Sequence, residues 1–159
     1  MAKANIKKCA YNHCKHEHKE IDIKTEQYIE DKNRYYHPEC KHEKDTLAEI
    51  NDYWYRFIDK DVIFNQLVRI VNRLVYQDGM DADYVLFALK KKAKFLNHPP
   101  GLIYAVKDKA VKKEWETAQK IKEYEANKGK AEIKKNDEPS FVYQESEVKK
   151  KFGDIFGGQ

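Results

Sequence analysis

The residues of this 159-residue chain best suited to chemistry are its three cysteines and six histidines, and they are unevenly placed. All three cysteines and four of the histidines fall within residues 5–40. Cys9-x4-Cys14 is followed, after 22 intervening residues, by His37-x2-Cys40. Two pairs of soft or borderline donors make up the four ligands of a closed tetrahedral zinc site. The second pair carries more geometric information. His37-Pro38-Glu39-Cys40 leads into a helical pattern, and a proline at the first helical position sets His37 and Cys40 on neighbouring edges of one turn. The unpaired NH groups of a helix start also favour a thiolate at Cys40. His13, His16 or His18 can stand in for Cys9 or Cys14, and His42 is a further spare. Four protein ligands leave no position for a reactive water, so the expected zinc is structural.

The elements that must hold these ligands are legible in outline. Short β-type runs at Ile21-Asp22-Ile23 and Gln27-Tyr28-Ile29, with a tight turn at Asp31-Lys32-Asn33 before Arg34-Tyr35-Tyr36, predict a hairpin between the two ligand pairs. From Pro38 the period becomes helical, with Leu47, Ile50, Trp54 and Phe57 on one face. That spacing assigns Trp54 and Phe57 of the Tyr53–Phe57 aromatic run to the core and leaves Tyr53 and Tyr55 as its exposed members. Asp59 or Asp61 caps a second helix whose apolar positions, Ile63 to Val75, cover more than one stripe and place it at the centre. Gly79 ends it, and Asp81 or Asp83 opens a third with Val85, Leu86, Leu89, Ala93 and Leu96. After the break at His98-Pro99-Pro100-Gly101, one long helix is expected from Ile103 to about Asn127, ending at Lys128-Gly129-Lys130. The expected fold class is α+β, mainly α. A zinc-binding β-hairpin module (1–44) is followed by a bundle of three to four helices (45–128) and a flexible tail (129–159).

Residues 9–57 resemble treble-clef zinc fingers, a group that includes LIM-type modules, in which a knuckle pair precedes a hairpin and a second pair opens a helix. The resemblance implies Cys9 and Cys14 as knuckle ligands, His37 and Cys40 as helix ligands, and zinc as the cofactor. The chain departs from the group in having four residues, not two, between the first ligands. A zinc-anchored nuclease of the HNH type is the enzymatic alternative, with His16, His18 or His42 as bases. No paired acid and base stand beside an Asn at that family's spacing, and no glycine-rich phosphate loop or nucleophile elbow is present, so catalysis is not expected.

Charge is more informative by position than in total. The net charge is +4, with 31 Lys and Arg against 27 acids, but residues 90–130 alone carry +7. Lys90, Lys91, Lys92, Lys94, Lys107, Lys109, Lys112 and Lys113 form this zone, interleaved with Tyr104 and Trp115. Only four residues in the chain are Arg, so the zone suits phosphate attraction better than bidentate base reading. DNA is therefore an expected partner. The plain reading of such lysines is that they complement helix C-termini and keep the surface soluble.

Asn97-His98-Pro99-Pro100-Gly101-Leu102-Ile103-Tyr104-Ala105-Val106-Lys107 is similar to a stretch in the C-terminal parts of phage and plasmid replication proteins, including DnaD-like helical domains. Near the end, Phe152, Ile155 and Phe156 are apolar anchors beside Lys149-Lys150-Lys151, and Asp154-Ile155-Phe156 resembles the close of bacterial sliding-clamp binding peptides. That resemblance implies a host or phage protein as partner of the tail. A zinc module joined to a helical bundle is also similar to small proteins of phages and prophages of Gram-positive bacteria. The implied role is an accessory DNA-binding protein of phage-type replication or transcription. The alternative is a protein-directed adaptor or inhibitor of a host polymerase or defence nuclease. The lack of a long apolar run and of an apolar leader predict a cytosolic protein and no membrane partner, and the resemblance to phage proteins implies that this is the bacterial host cytoplasm. Three cysteines in that reducing compartment favour metal ligation over disulfides.

Overall fold

The computed structural model describes residues 5–135. It is mainly helical, with two small hairpins preceding five α-helices among the described residues. One compact unit extends to Ala118, and a second begins at Gln119.

Strand β1 (Ile6–Lys8) pairs antiparallel with β2 (Glu20–Asp22), Lys7 facing Ile21. Strand β3 (Ile29–Asp31) pairs antiparallel with β4 (Arg34–Tyr36), Glu30 facing Tyr35. The expected turn is present, with Lys32 and Asn33 both left-handed at φ 51° and 60°, as a two-residue turn with the twist of a hairpin requires. A parallel bridge between Cys9 and Tyr35 joins the hairpins. Their shared core is small: Ile21 and Tyr36 are fully buried, and Cys9, Tyr11 and Cys40 complete it. One buried aliphatic cannot offset the ordering of some thirty residues, so this module needs a further source of folding free energy.

Helix α1 (Pro38–Phe57) starts as the sequence predicts, with His37 in the extended N-cap position and Pro38 at the first helical position. It buries Cys40, Thr46, Ile50 and Trp54. Phe57, expected on the same buried face, is 67% exposed. The reason is length. Thr46 of α1 meets Asp83 near the start of α3 (Ala82–Lys92), while Glu49 and Tyr53 meet Lys90 near its end, so the last turn of α1 outruns its neighbour. Tyr53 and Tyr55 are half-buried.

Neither Asp59 nor Asp61 caps α2 (Phe64–Asn72). Asp59 instead accepts from the Asp61 amide in a local turn, and Ile63 takes the N-cap position. A π-helical turn, Arg73–Gln77, follows α2, and Gly79 closes it at φ 66°, a conformation natural to glycine. The central helix is α3 and not the second helix. Six of its eleven residues, including Val85 and Leu89, are buried, and it packs on both α1 and α4 (Gly101–Lys107). Asp81 caps it, accepting from the Asp83 amide. Trp54, Leu67, Leu74, Val85, Leu89 and Leu102 are fully buried in the main core.

The long helix expected after Pro100 is two helices, α4 and α5 (Lys109–Lys135). Asp108 separates them because it is extended (ψ 119°) and its carboxylate accepts from the Ala110 amide as a cap. Helix α5 continues through Gly129, since a lone glycine costs a helix only about 1 kcal/mol and does not end it. No helix among the described residues is long and apolar enough to cross a membrane.

Candidate metal centre

The two hairpins and the start of α1 deliver four ligands to one point. Cys9 directly follows β1, and its amide donates to the Lys19 carbonyl at 2.7 Å, which pins the loop across to β2. Cys14 closes a turn by donating its amide to Tyr11. His37 directly follows β4, and Cys40 lies one turn on, in the first turn of α1. The ligand atoms of Cys9, Cys14, His37 and Cys40 all lie within 4.8 Å of one another. Cys14 Sγ is 3.5 Å and Cys40 Sγ 4.0 Å from His37 Nδ1. A tetrahedral zinc with ordinary bond lengths sets its ligand atoms roughly 3.5–3.8 Å apart. The cluster thus fits a metal ion once its most widely spaced ligand atoms draw together by up to about 1 Å.

The surroundings favour the same assignment. His37 is buried, and its Nε2 lies 3.2 Å from the Glu20 carbonyl, so a proton donated there leaves Nδ1 as the ligand nitrogen. The Glu26 carboxylate stands 4.0 Å from the same Nε2. Burial, followed by the nearby Cys14 and Cys9 sulfurs, pushes the Cys40 thiol well above its ordinary pKa. Three crowded sulfurs cannot all ionise without a compensating charge, and a divalent cation is the compensation that this donor set suits.

The substitute histidines lie outside the cluster. His16 stacks on the His37 ring at 3.7 Å and 16° and approaches Glu39. His18 approaches Glu17, and His42 bonds Asp83 at 2.7 Å. His16, His18 and His42 therefore have separate carboxylate neighbours and form no common acid–base group. His13 stacks on Tyr76 of the π-helical turn at 3.7 Å, and Tyr11 bonds Glu43 at 2.9 Å and the Tyr76 hydroxyl. Burial first, then these bonds, raises the Tyr11 pKa and keeps its hydroxyl a donor. Sequence reasoning missed this network. Its one local signal is the long Cys9–Cys14 spacing, which makes room for Tyr11 and His13.

The eight lysines do not behave alike. Lys90, Lys91 and Lys92 pair with Glu49, Glu114 and Asp108, each at 2.6 Å. Lys94, Lys107, Lys109, Lys112 and Lys113 are exposed and have no acidic partner among the described residues. Phe152, Ile155 and Phe156 lie outside the described residues. No family model, curated protein or solved structure matches this chain.

Proposed function

We propose that the chain is a zinc-stabilised, non-catalytic nucleic-acid-binding protein, an accessory factor of phage-type replication or transcription. The carrying observation is the convergence of Cys9, Cys14, His37 and Cys40 within 4.8 Å, in a module with almost no aliphatic core. Zinc there would be held by four protein ligands, and its contribution is folding free energy rather than reactivity. The nucleic-acid part rests on the unpaired lysines between Lys94 and Lys113, which act as mobile point charges toward phosphates. The replication setting rests on the likeness of Asn97 to Lys107 to phage and plasmid replication proteins. Fluorescence anisotropy with the zinc-loaded protein, a random-sequence duplex and a single strand across a salt series tests this. Micromolar or tighter binding with a steep logarithmic salt slope is expected, and no binding even at low salt would contradict it.

A protein-directed role is the second reading. It is favoured by large apolar side chains left at the surface, with Phe95 81% and Tyr104 77% exposed. Association with a polymerase or nuclease that depends on these residues and barely responds to salt would support that role.

A further inference from the structure

We infer that a groove between α3, α4 and α5 is a single-strand nucleic-acid site, in which Lys107, Lys109 and Lys112 hold backbone phosphates and an unstacked base lies on the floor made by Tyr84, Val106 and Trp115. This rests on the nucleic-acid reading above and says where and in what form the strand binds.

The groove encloses about 530 Å³ and joins these three lysines to an apolar and aromatic floor. Its acids are Asp81 and Glu116, and Asp81 is engaged as the cap of α3. The placement of the lysines is the stronger argument. Lys90, Lys91 and Lys92 lie in the last turn of α3, where cations complement the negative end of the helix, and each also has a carboxylate partner. Their structural role is complete without a ligand. Lys109 and Lys112 are at the opposite kind of helix end. They occupy the first turn of α5 with Lys113 close behind, and that turn has no acidic residue. Cations there oppose the helix dipole and repel one another, and the Asp108 cap carboxylate at that end is already paired with Lys92, so helix stability does not explain them. An anionic ligand in front of that turn does.

The apolar floor selects the form of that ligand. In a duplex the bases are stacked inside, and only phosphates would reach the lysines. A single strand presents a phosphate row and a base face together, the pair of features that this groove matches. Trp115 is half-buried against Tyr84 and Phe87, which holds its ring in place.

The test titrates the zinc-loaded full chain with a mixed-sequence single strand of about a dozen nucleotides and with the matching duplex, following anisotropy and tryptophan emission. The chain has two tryptophans, and Trp54 is fully buried, so a change on binding reports Trp115. The single strand should bind more tightly than the duplex and quench the emission, and Trp115→Phe should abolish the quenching. Lys109→Gln with Lys112→Gln should weaken single-strand binding about tenfold and lower the logarithmic salt slope by roughly 1.4, with folding verified by circular dichroism. Lys90→Gln with Lys91→Gln removes the same net charge and should change binding less than about twofold. Equal losses from both double variants, equal affinity for duplex, or binding without a Trp115 signal would each overturn the groove and leave nucleic-acid binding standing. No binding of either nucleic acid would overturn both.

Discussion

The His13 ring lies stacked on Tyr76 at 3.7 Å and 13°, which fastens the loop between Cys9 and Cys14 to the π-helical turn after α2. Tyr11, from the same loop, bonds Glu43 of α1 and the Tyr76 hydroxyl. The candidate metal cluster and the helical core are therefore joined by side chains of the loop between Cys9 and Cys14. Removing zinc with a chelator should unfold residues 5–57 in part and also loosen residues 73–77, while α3 and α4 keep their helicity. Hydrogen exchange should rise at both places and near-UV dichroism should change. An unchanged near-UV spectrum after complete metal removal would sink the structural role of zinc.

Tyr11→Phe deletes one hydroxyl and leaves Glu43 and the Tyr76 hydroxyl without that partner. A loss of about 1–2 kcal/mol in chemical denaturation is expected, with zinc stoichiometry retained. A loss of zinc instead would mean that Tyr11 shapes the ligand loop itself.

Two aromatic positions on one helix should respond very differently. Trp54 is fully buried in the main core, and Trp54→Ala should cost about 3–5 kcal/mol. Phe57 is 67% exposed beyond the end of α3, and Phe57→Ala should change stability by less than about 0.5 kcal/mol. Comparable losses from the two would restore the buried face that the helical period alone predicts.

Asp108 gives a pH-dependent contribution of known sign. Lys92 first, then the Ala110 amide, holds its carboxyl below the usual carboxylate range. A folded-state pKa below the unfolded value of about 3.9 means that the stabilisation is present above that pH and is lost as pH falls through the folded pKa. Asp108→Asn should lower the melting temperature near neutrality, and the difference from wild type should shrink as pH falls through the folded-state pKa of Asp108. Equal melting temperatures across this range would show that capping by the side chain, which Asn retains, and not its charge, is what matters.

The sequence made local relationships legible and longer ones obscure. The two ligand pairs, the Lys32-Asn33 turn, Pro38 at the start of α1 and Gly79 after the π-helical turn all carry their signal within a few residues, and each is present in the fold. Strand β1 is three residues long and largely exposed, so it has no pattern to read. The α4–α5 break depends on one aspartate that turns back to the second amide after it, inside a run whose apolar period continues through Trp115. The exposure of Phe57 depends on where another helix ends, and the Tyr11–Tyr76 contact spans 65 positions. No window of sequence contains either fact.

The most direct test of the central claim is a cobalt(II) titration of the metal-free full chain followed by visible absorption. The account predicts saturation at one equivalent, strong absorption of a tetrahedral site with thiolate charge transfer, and displacement of cobalt by zinc. Cys14→Ser or Cys40→Ser should weaken the complex and change its spectrum, whereas His16→Ala and His42→Ala should leave it unchanged. A weak octahedral spectrum, or binding that persists without Cys40 but fails without His16, would contradict the assignment of Cys9, Cys14, His37 and Cys40 as the ligands.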